Sequence, residues 1–172
     1  AAAMPTATIG GIADVPQVSY WATSTVLDNV KDYPRFLRTI ATDGQVAFSV
    51  CTFWREMGYH TTAVLYSNDG YGEAYKEKLV GHCSAVGIAV QSFSYDAGSS
   101  ETIAAKVRLL AASKIHVVMM VATGNDVVTA MEAAHQLGIV GEGSMWVFSD
   151  GSTASDLDQL RGDVRRAVHG SI

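Results

Sequence analysis

The sequence predicts an α/β protein, a doubly wound parallel sheet with helices on both faces, and three observations carry that prediction. Strand starts recur roughly every 27 to 30 residues from Thr61 onward, the length of one βα unit with its return. The runs at residues 61–66, 88–93, 116–121 and 145–148 are mostly apolar throughout, as a sheet covered on both faces demands. Helical patterns lie between them, and those before Gly87 and Gly138 stop at a glycine. The units share no repeated side-chain signature, so the period belongs to βα units and not to a solenoid.

In chain order, residues 1–13 are small and glycine-bearing and give only a weak helical pattern. Residues 15–20 read as a short strand beginning around Pro16. Residues 21–34, with Thr23, Ser24, Asp28, Asn29 and Pro34, read as a polar loop, and residues 36–40 alternate apolar and basic like a brief strand. At Thr42 the period changes. Thr42 or Asp43 can cap a helix to about Met57, with Val46, Val50, Phe53, Trp54 and Met57 on one stripe and Gly58 as its stop. Strand 61–66 leads through the corner Ser67-Asn68-Asp69-Gly70-Tyr71-Gly72-Glu73 to a helix over 73–86. Helices over 101–113 and 126–137 follow the next two strands. Strand 145–148 ends at Ser149-Asp150-Gly151, and a last helix starts at Ser155, with Asp158 placed to complete a capping box.

At 172 residues, 48% hydrophobic and 17% charged, the chain can bury one well-covered core. A net charge of -5 argues against a phosphate-backbone footprint, so no nucleic-acid partner is expected. The one basic cluster, Arg161, Arg165 and Arg166, is interleaved with Asp158 and Asp163 and reads as a solvated face. The longest apolar run, residues 117–122, is far short of a membrane span. The first residues lack the basic region of a signal peptide and do not begin with Met, which reads as an excerpt or a processed chain. Cys51 and Cys83 fall on separate helices. They form a disulfide if those helices pack on one face, or stay as two buried thiols, and the sequence leaves both open.

Enzyme constellations are missing from the sequence: there is no dinucleotide-binding glycine motif after a strand, no Walker A sequence and no Gly-x-Ser-x-Gly elbow. His60, His82, His116, His135 and His169 are scattered without metal spacing and read as surface or core histidines. No catalytic residue, metal or cofactor is expected. What remains is a polar set at loops and helix starts: Thr23 with Ser24, Asp43, Tyr71, Thr123 with Gly124, and Asp150. Each alone has a plain explanation as a cap or turn residue. Together they offer two carboxylates, hydroxyls and an aromatic face, which is what a primary ammonium needs on leaving water. Amides near Thr23 can hold an opposing carboxylate, so the complementary ligand is an α-amino acid.

Several stretches in order resemble one family. They are Pro16-Gln17-Val18-Ser19-Tyr20 with Ala22-Thr23-Ser24, Phe36-Leu37-Arg38-Thr39 with Asp43, Asp69-Gly70-Tyr71-Gly72-Glu73, Leu137-Gly138-Ile139-Val140-Gly141-Glu142, and Ser149-Asp150-Gly151. This pattern is similar to the Venus-flytrap ligand-binding domain, the type I periplasmic-binding-protein fold of class C G-protein-coupled receptor ectodomains and bacterial amino-acid-binding proteins. The resemblance implies two α/β lobes that close on a ligand. It implies that residues 1–40 are a remnant of the first lobe and crossover, that 41–172 are the second lobe, and that the domain is incomplete at both ends. It also implies a binding set: Ala22 and Thr23 of the Ala-Thr-Ser motif, Asp43, Tyr71 and Asp150, with Thr123 as a candidate contributor to the side-chain pocket.

The pattern departs from the family at Trp21, which stands where a small residue is usual, and the family's serine pair before Pro16 has no counterpart among the alanines. By resemblance the chain is a non-enzymatic receptor fragment on the extracellular face of the plasma membrane or in the periplasm. It senses an amino acid or similar metabolite, with a homo- or heterodimer of ectodomains or a membrane transporter as partner. The alternatives are a periplasmic solute-binding protein for uptake, an α/β enzyme with its catalytic residues outside this stretch, and a dimerisation module that has lost its ligand.

Overall fold

In the computed structural model, which describes residues 3–168, the chain divides into two compact units, Ala1–Val50 and Cys51–Ile172. His169 lies outside the described residues.

In the first unit, helix α1 (Ala3–Ile12) forms where the pattern is weak, burying Ala7 and packing beside the strands that follow. It ends where the chain folds back with Val15 N–H donating to Gly10 C=O at 2.9 Å; a Cβ on Gly10 would stand 2.9 Å from the Val15 oxygen. Strands β1 (Gln17–Ser19) and β2 (Phe36–Arg38) pair in parallel, with Val18 opposite Leu37. Both of those residues point to solvent, 63% and 61% exposed. Gln17 Nε2 donates to Thr6 Oγ1 at 3.0 Å, tying β1 to α1. The polar loop between the strands contains a short 3-10 helix, Thr25–Asp28, capped by Ser24.

Helix α2 (Asp43–Glu56) begins at Asp43 because Thr42 is its cap. Gln45 N–H donates to Thr42 Oγ1 at 3.1 Å and Thr42 N–H donates to Gln45 Oε1 at 3.0 Å, a reciprocal pair that satisfies two otherwise free donors. Its buried line is Asp43, Ala47, Cys51 and Trp54, whereas Phe53 and Met57 of the expected stripe are exposed. Apolar residues occupy both sides of this helix, so the count of apolar positions alone placed the stripe one step away from the true one.

The second unit is a parallel sheet of four strands, β3 (Thr61–Ser67), β4 (Ala89–Tyr95), β5 (Val117–Val121) and β6 (Met145–Phe148), in the order β4-β3-β5-β6. The chain leaves β3 toward β4, then returns to the other side for β5, so the order reverses between β3 and β5. That reversal is a topological switch point. Helices α3 (Gly70–Ala85), α4 (Ser100–Ser113) and α5 (Asn125–Gln136) connect the strands. One sheet face, with Ala63, Leu65, Phe93, Val118, Met120 and Trp146, packs on Ile103, Val107 and Leu110 of α4 and on Val127, Ala130 and Met131 of α5. Residues of opposite parity, Thr62, Val64, Met119 and Val121, face the other way. Every residue of β5 is buried, but β4 is an edge strand and buries only Phe93 and Tyr95 fully.

A disulfide joins Cys51 to Cys83, Cα to Cα 4.9 Å, linking α2 to α3, and Arg55 Nη1 donates to Val86 C=O beside it. The last expected helix is two: α6 (Ala154–Asp158) and α7 (Gly162–Val168). The capping box of α6 is Thr153 with Asp156, two residues earlier than Ser155 with Asp158. Asp158 instead meets Arg165 at 2.7 Å, and Arg161 meets Glu132 at 3.4 Å. Among the described residues no helix is long and apolar enough to cross a membrane.

Candidate functional site

The corner after β3 is shaped by Asp69. Its Oδ1 accepts from Tyr71 N–H at 2.9 Å and Gly72 N–H at 2.8 Å, supplying partners for the first free amides of α3. The helix therefore starts at Gly70, three residues before the expected start at Glu73. Gly72 makes the tight entry possible, since a Cβ there would lie 1.9 Å from the Ser67 carbonyl oxygen. Tyr71 thus sits in the first turn of α3, half-buried, with its ring edge-on to Tyr75 one turn later at 6.2 Å.

Tyr71 O–H donates to Asp150 Oδ1 at 2.8 Å, across a separation of 79 residues. Asp150 follows the end of β6, so the bond spans the carboxyl edge of the sheet past β5. Gly151 closes the same space: a Cβ on it would stand 2.8 Å from the Ala122 carbonyl oxygen, 2.9 Å from Thr123 Cγ2 and 3.2 Å from the Tyr71 hydroxyl. The fold therefore brings Tyr71, Thr123 and Asp150 together around a glycine, with Thr123 exposed and the other two half-buried. Ser149 anchors the strand end, its N–H donating to Met120 C=O at 2.9 Å; its hydroxyl is buried with no partner among the described residues.

On the next turn of α3, Lys76 Nζ meets Glu73 Oε2 at 2.8 Å and lies 5.6 Å from the centre of the Tyr66 ring. That hydrogen bond holds the Glu73 carboxyl below its ordinary value and the Lys76 ammonium above its own, each opposed by desolvation. At the end of β4, burial followed by the fields of Asp126 and Asp69 pushes the Tyr95 phenol far up.

The remaining expected residues belong to the first unit. Thr23 and Asp43 are buried, and Asp43 N–H donates to Thr23 C=O at 3.0 Å. Ala22 C=O accepts from Arg38 Nη1 at 2.8 Å, the same nitrogen reaching Ser24 C=O at 3.1 Å while Nη2 reaches Asp28 at 2.6 Å. Arg38 thereby fixes the Ala-Thr-Ser turn from within. Trp21 is 59% exposed.

Sequence reasoning grouped Tyr71 with Asp150 but did not foresee that they bond directly, nor that Gly151 and Gly72 are required by close approach. Tyr75 was also missed, although its spacing of four from Tyr71 is a legible helical signal.

The model of the receptor family ligand binding region matches residues 1–170. Metabotropic glutamate receptor-like protein E of Dictyostelium discoideum is 26% identical over 156 residues, 82% of this chain and 18% of that protein. Metabotropic glutamate receptor 6 of Rattus norvegicus is 26% identical over 163 residues, 90% of this chain and 18% of the receptor. Taste receptor type 1 member 3 of Felis catus is 34% identical over 76 residues, 44% of this chain and 9% of the receptor. The chain thus spans less than a fifth of the length of these curated relatives. A parallel sheet with polar residues gathered at its switch point, matched along almost its entire length by one family, places the chain in the family of receptor ligand-binding regions, whose fold is type I periplasmic-binding-protein-like.

Proposed function

We propose that this chain is part of a receptor ectodomain that recognises an α-amino acid, or a closely related primary amine, and signals by lobe closure of the complete domain. The observation that carries the reading is the 2.8 Å bond from Tyr71 to Asp150 at the edge where ligands of open α/β sheets bind. The tyrosine hydroxyl donates to one carboxylate oxygen and so holds the carboxylate in place. An ammonium has three N–H groups to place and is drawn to an aromatic face, so a preset carboxylate beside a tyrosine ring lowers the cost of binding it. No bond of the ligand need break. Binding then acts by stabilising one conformational state through differential affinity.

The buried Cys51–Cys83 disulfide supports an oxidising compartment, which accords with an extracellular or periplasmic position. In the complete protein the partners of this reading are a second ectodomain and a membrane region.

The test is calorimetric titration of the complete ectodomain with a panel of amino acids. At least one should bind, and Asp150→Ala should cost about 2–5 kcal/mol by removing the ammonium's counter-charge. Tyr71→Phe should weaken binding less, by about 1 kcal/mol, because it frees the carboxylate without removing it. Unaltered affinity in Asp150→Ala overturns the site.

A further inference from the structure

We propose that Ser152 is a positioning residue of this site: its hydroxyl holds the Asp150-Gly151 turn against the end of β5 and so keeps the Asp150 carboxylate on the Tyr71 hydroxyl. Its effect on affinity rests on the amine reading above. Residues 149–153 carry the chain from β6 to α6. Ser149 N–H donates to Met120 C=O at 2.9 Å, and Ser152 N–H donates to Ser149 C=O at 3.0 Å, closing a β-turn with Asp150 and Gly151 at its corners. Thr153 then caps α6, its N–H and its hydroxyl both donating to Asp156 Oδ2, at 2.8 Å and 2.7 Å. The two ends of the turn are fixed by these bonds, and its corner is fixed by another.

That other bond runs from Ser152 Oγ to Ala122 C=O, at 3.3 Å. Gly151 packs on the same carbonyl, since a Cβ on it would stand 2.8 Å from that oxygen. Ala122 is 0% exposed, so water does not reach it while the turn lies in place. A buried carbonyl that loses its donor is costly, and the cost is relieved when the turn lifts from the strand end and lets water in. Lifting carries Asp150 with it. Tyr71 does not follow, because its N–H and that of Gly72 are held by Asp69 at the start of α3. A hydrogen bond that now measures 2.8 Å then lengthens and weakens. The neighbouring Ser149 hydroxyl is buried without a partner among the described residues and holds nothing, so the task falls to Ser152.

The experiment compares Ser152→Ala with Ser152→Thr, which keeps the hydroxyl. The control is Ser113→Ala, which removes another hydroxyl-to-carbonyl bond, Ser113 Oγ to Leu110 C=O at 2.6 Å, at the end of α4. The complete ectodomain is labelled with carbon-13 at the hydroxyl-bearing ring carbon of tyrosine, and the Tyr71 signal is the one that Tyr71→Phe removes. Without ligand, that signal should move in Ser152→Ala in the direction it takes in Asp150→Ala, where the bond has no acceptor. It should stay in place in Ser152→Thr and Ser113→Ala. Whichever of L-alanine, L-lysine and L-glutamate binds should then bind about fivefold more weakly to Ser152→Ala and with unaltered affinity to the other two. A signal unmoved in Ser152→Ala, or moved as far in Ser152→Thr or Ser113→Ala, overturns the proposal, and so does unaltered affinity in Ser152→Ala. If the signal moves as expected but none of the three amino acids binds the unsubstituted protein, the amine reading falls and the placement of Asp150 by Ser152 stands.

Discussion

Tyr71 and Tyr95 show how two tyrosines at one sheet edge come to different surroundings. Tyr71 is half-buried and its hydroxyl is satisfied by Asp150. Tyr95 is 1% exposed, and its hydroxyl has no partner among the described residues. Burial, then Asp126 and Asp69, keep that phenol neutral far above its ordinary range. In the unfolded chain it ionises near pH ~10. The folded state therefore holds a proton that the unfolded state has lost, and this contribution to stability, intact below that pH, is lost as pH rises through the folded value. Denaturant titrations between pH 8 and 11 should show that decline, and Tyr95→Phe should flatten it. The substitution should leave stability at neutral pH within about 1 kcal/mol, since no hydrogen bond is lost. A decline of equal slope in the variant would assign the effect to other groups.

Among the elements, α3 decides the site because its start is set to the residue. Asp69 and Gly72 together begin it at Gly70, and only that start puts Tyr71 a turn before Tyr75 and within reach of Asp150. Gly72→Ala must push the helix off the Ser67 carbonyl, which should cost about 2 kcal/mol or more and misplace Tyr71. Gly70→Ala is the control: a Cβ there meets nothing within 4 Å, so stability should hold or rise by up to ~1 kcal/mol. Equal losses in thermal melts of the two variants would refute the close-approach account. Strands β3 to β6 were legible because apolar runs bounded by turn residues have few other uses. Helix starts were less so: Thr153 with Asp156 and Ser155 with Asp158 are both acceptable boxes by spacing, and the choice is made by where the chain leaves β6.

For the molecule as a whole, the Cys51–Cys83 link closes a separation of 32 residues, for which the chain-entropy account gives about 3–4 kcal/mol. A Cys51→Ser/Cys83→Ser variant should lose about that much in chemical denaturation relative to the oxidised protein, and a loss under ~1 kcal/mol would show that the α2–α3 packing is sufficient without it. The sequence by itself determined the α/β class, the parallel sheet and the polar character of its loops and helix starts. Those follow from local period, from the burial of both sheet faces and from side-chain chemistry, all of which are written in consecutive residues. The pairing of the cysteines, the buried line of α2, the bond from Tyr71 to Asp150 and the need for Gly151 were decided only by tertiary structure. Each joins positions up to 79 residues apart through strand order and helix position, and no local pattern encodes which residues meet when a sheet reverses at its switch point.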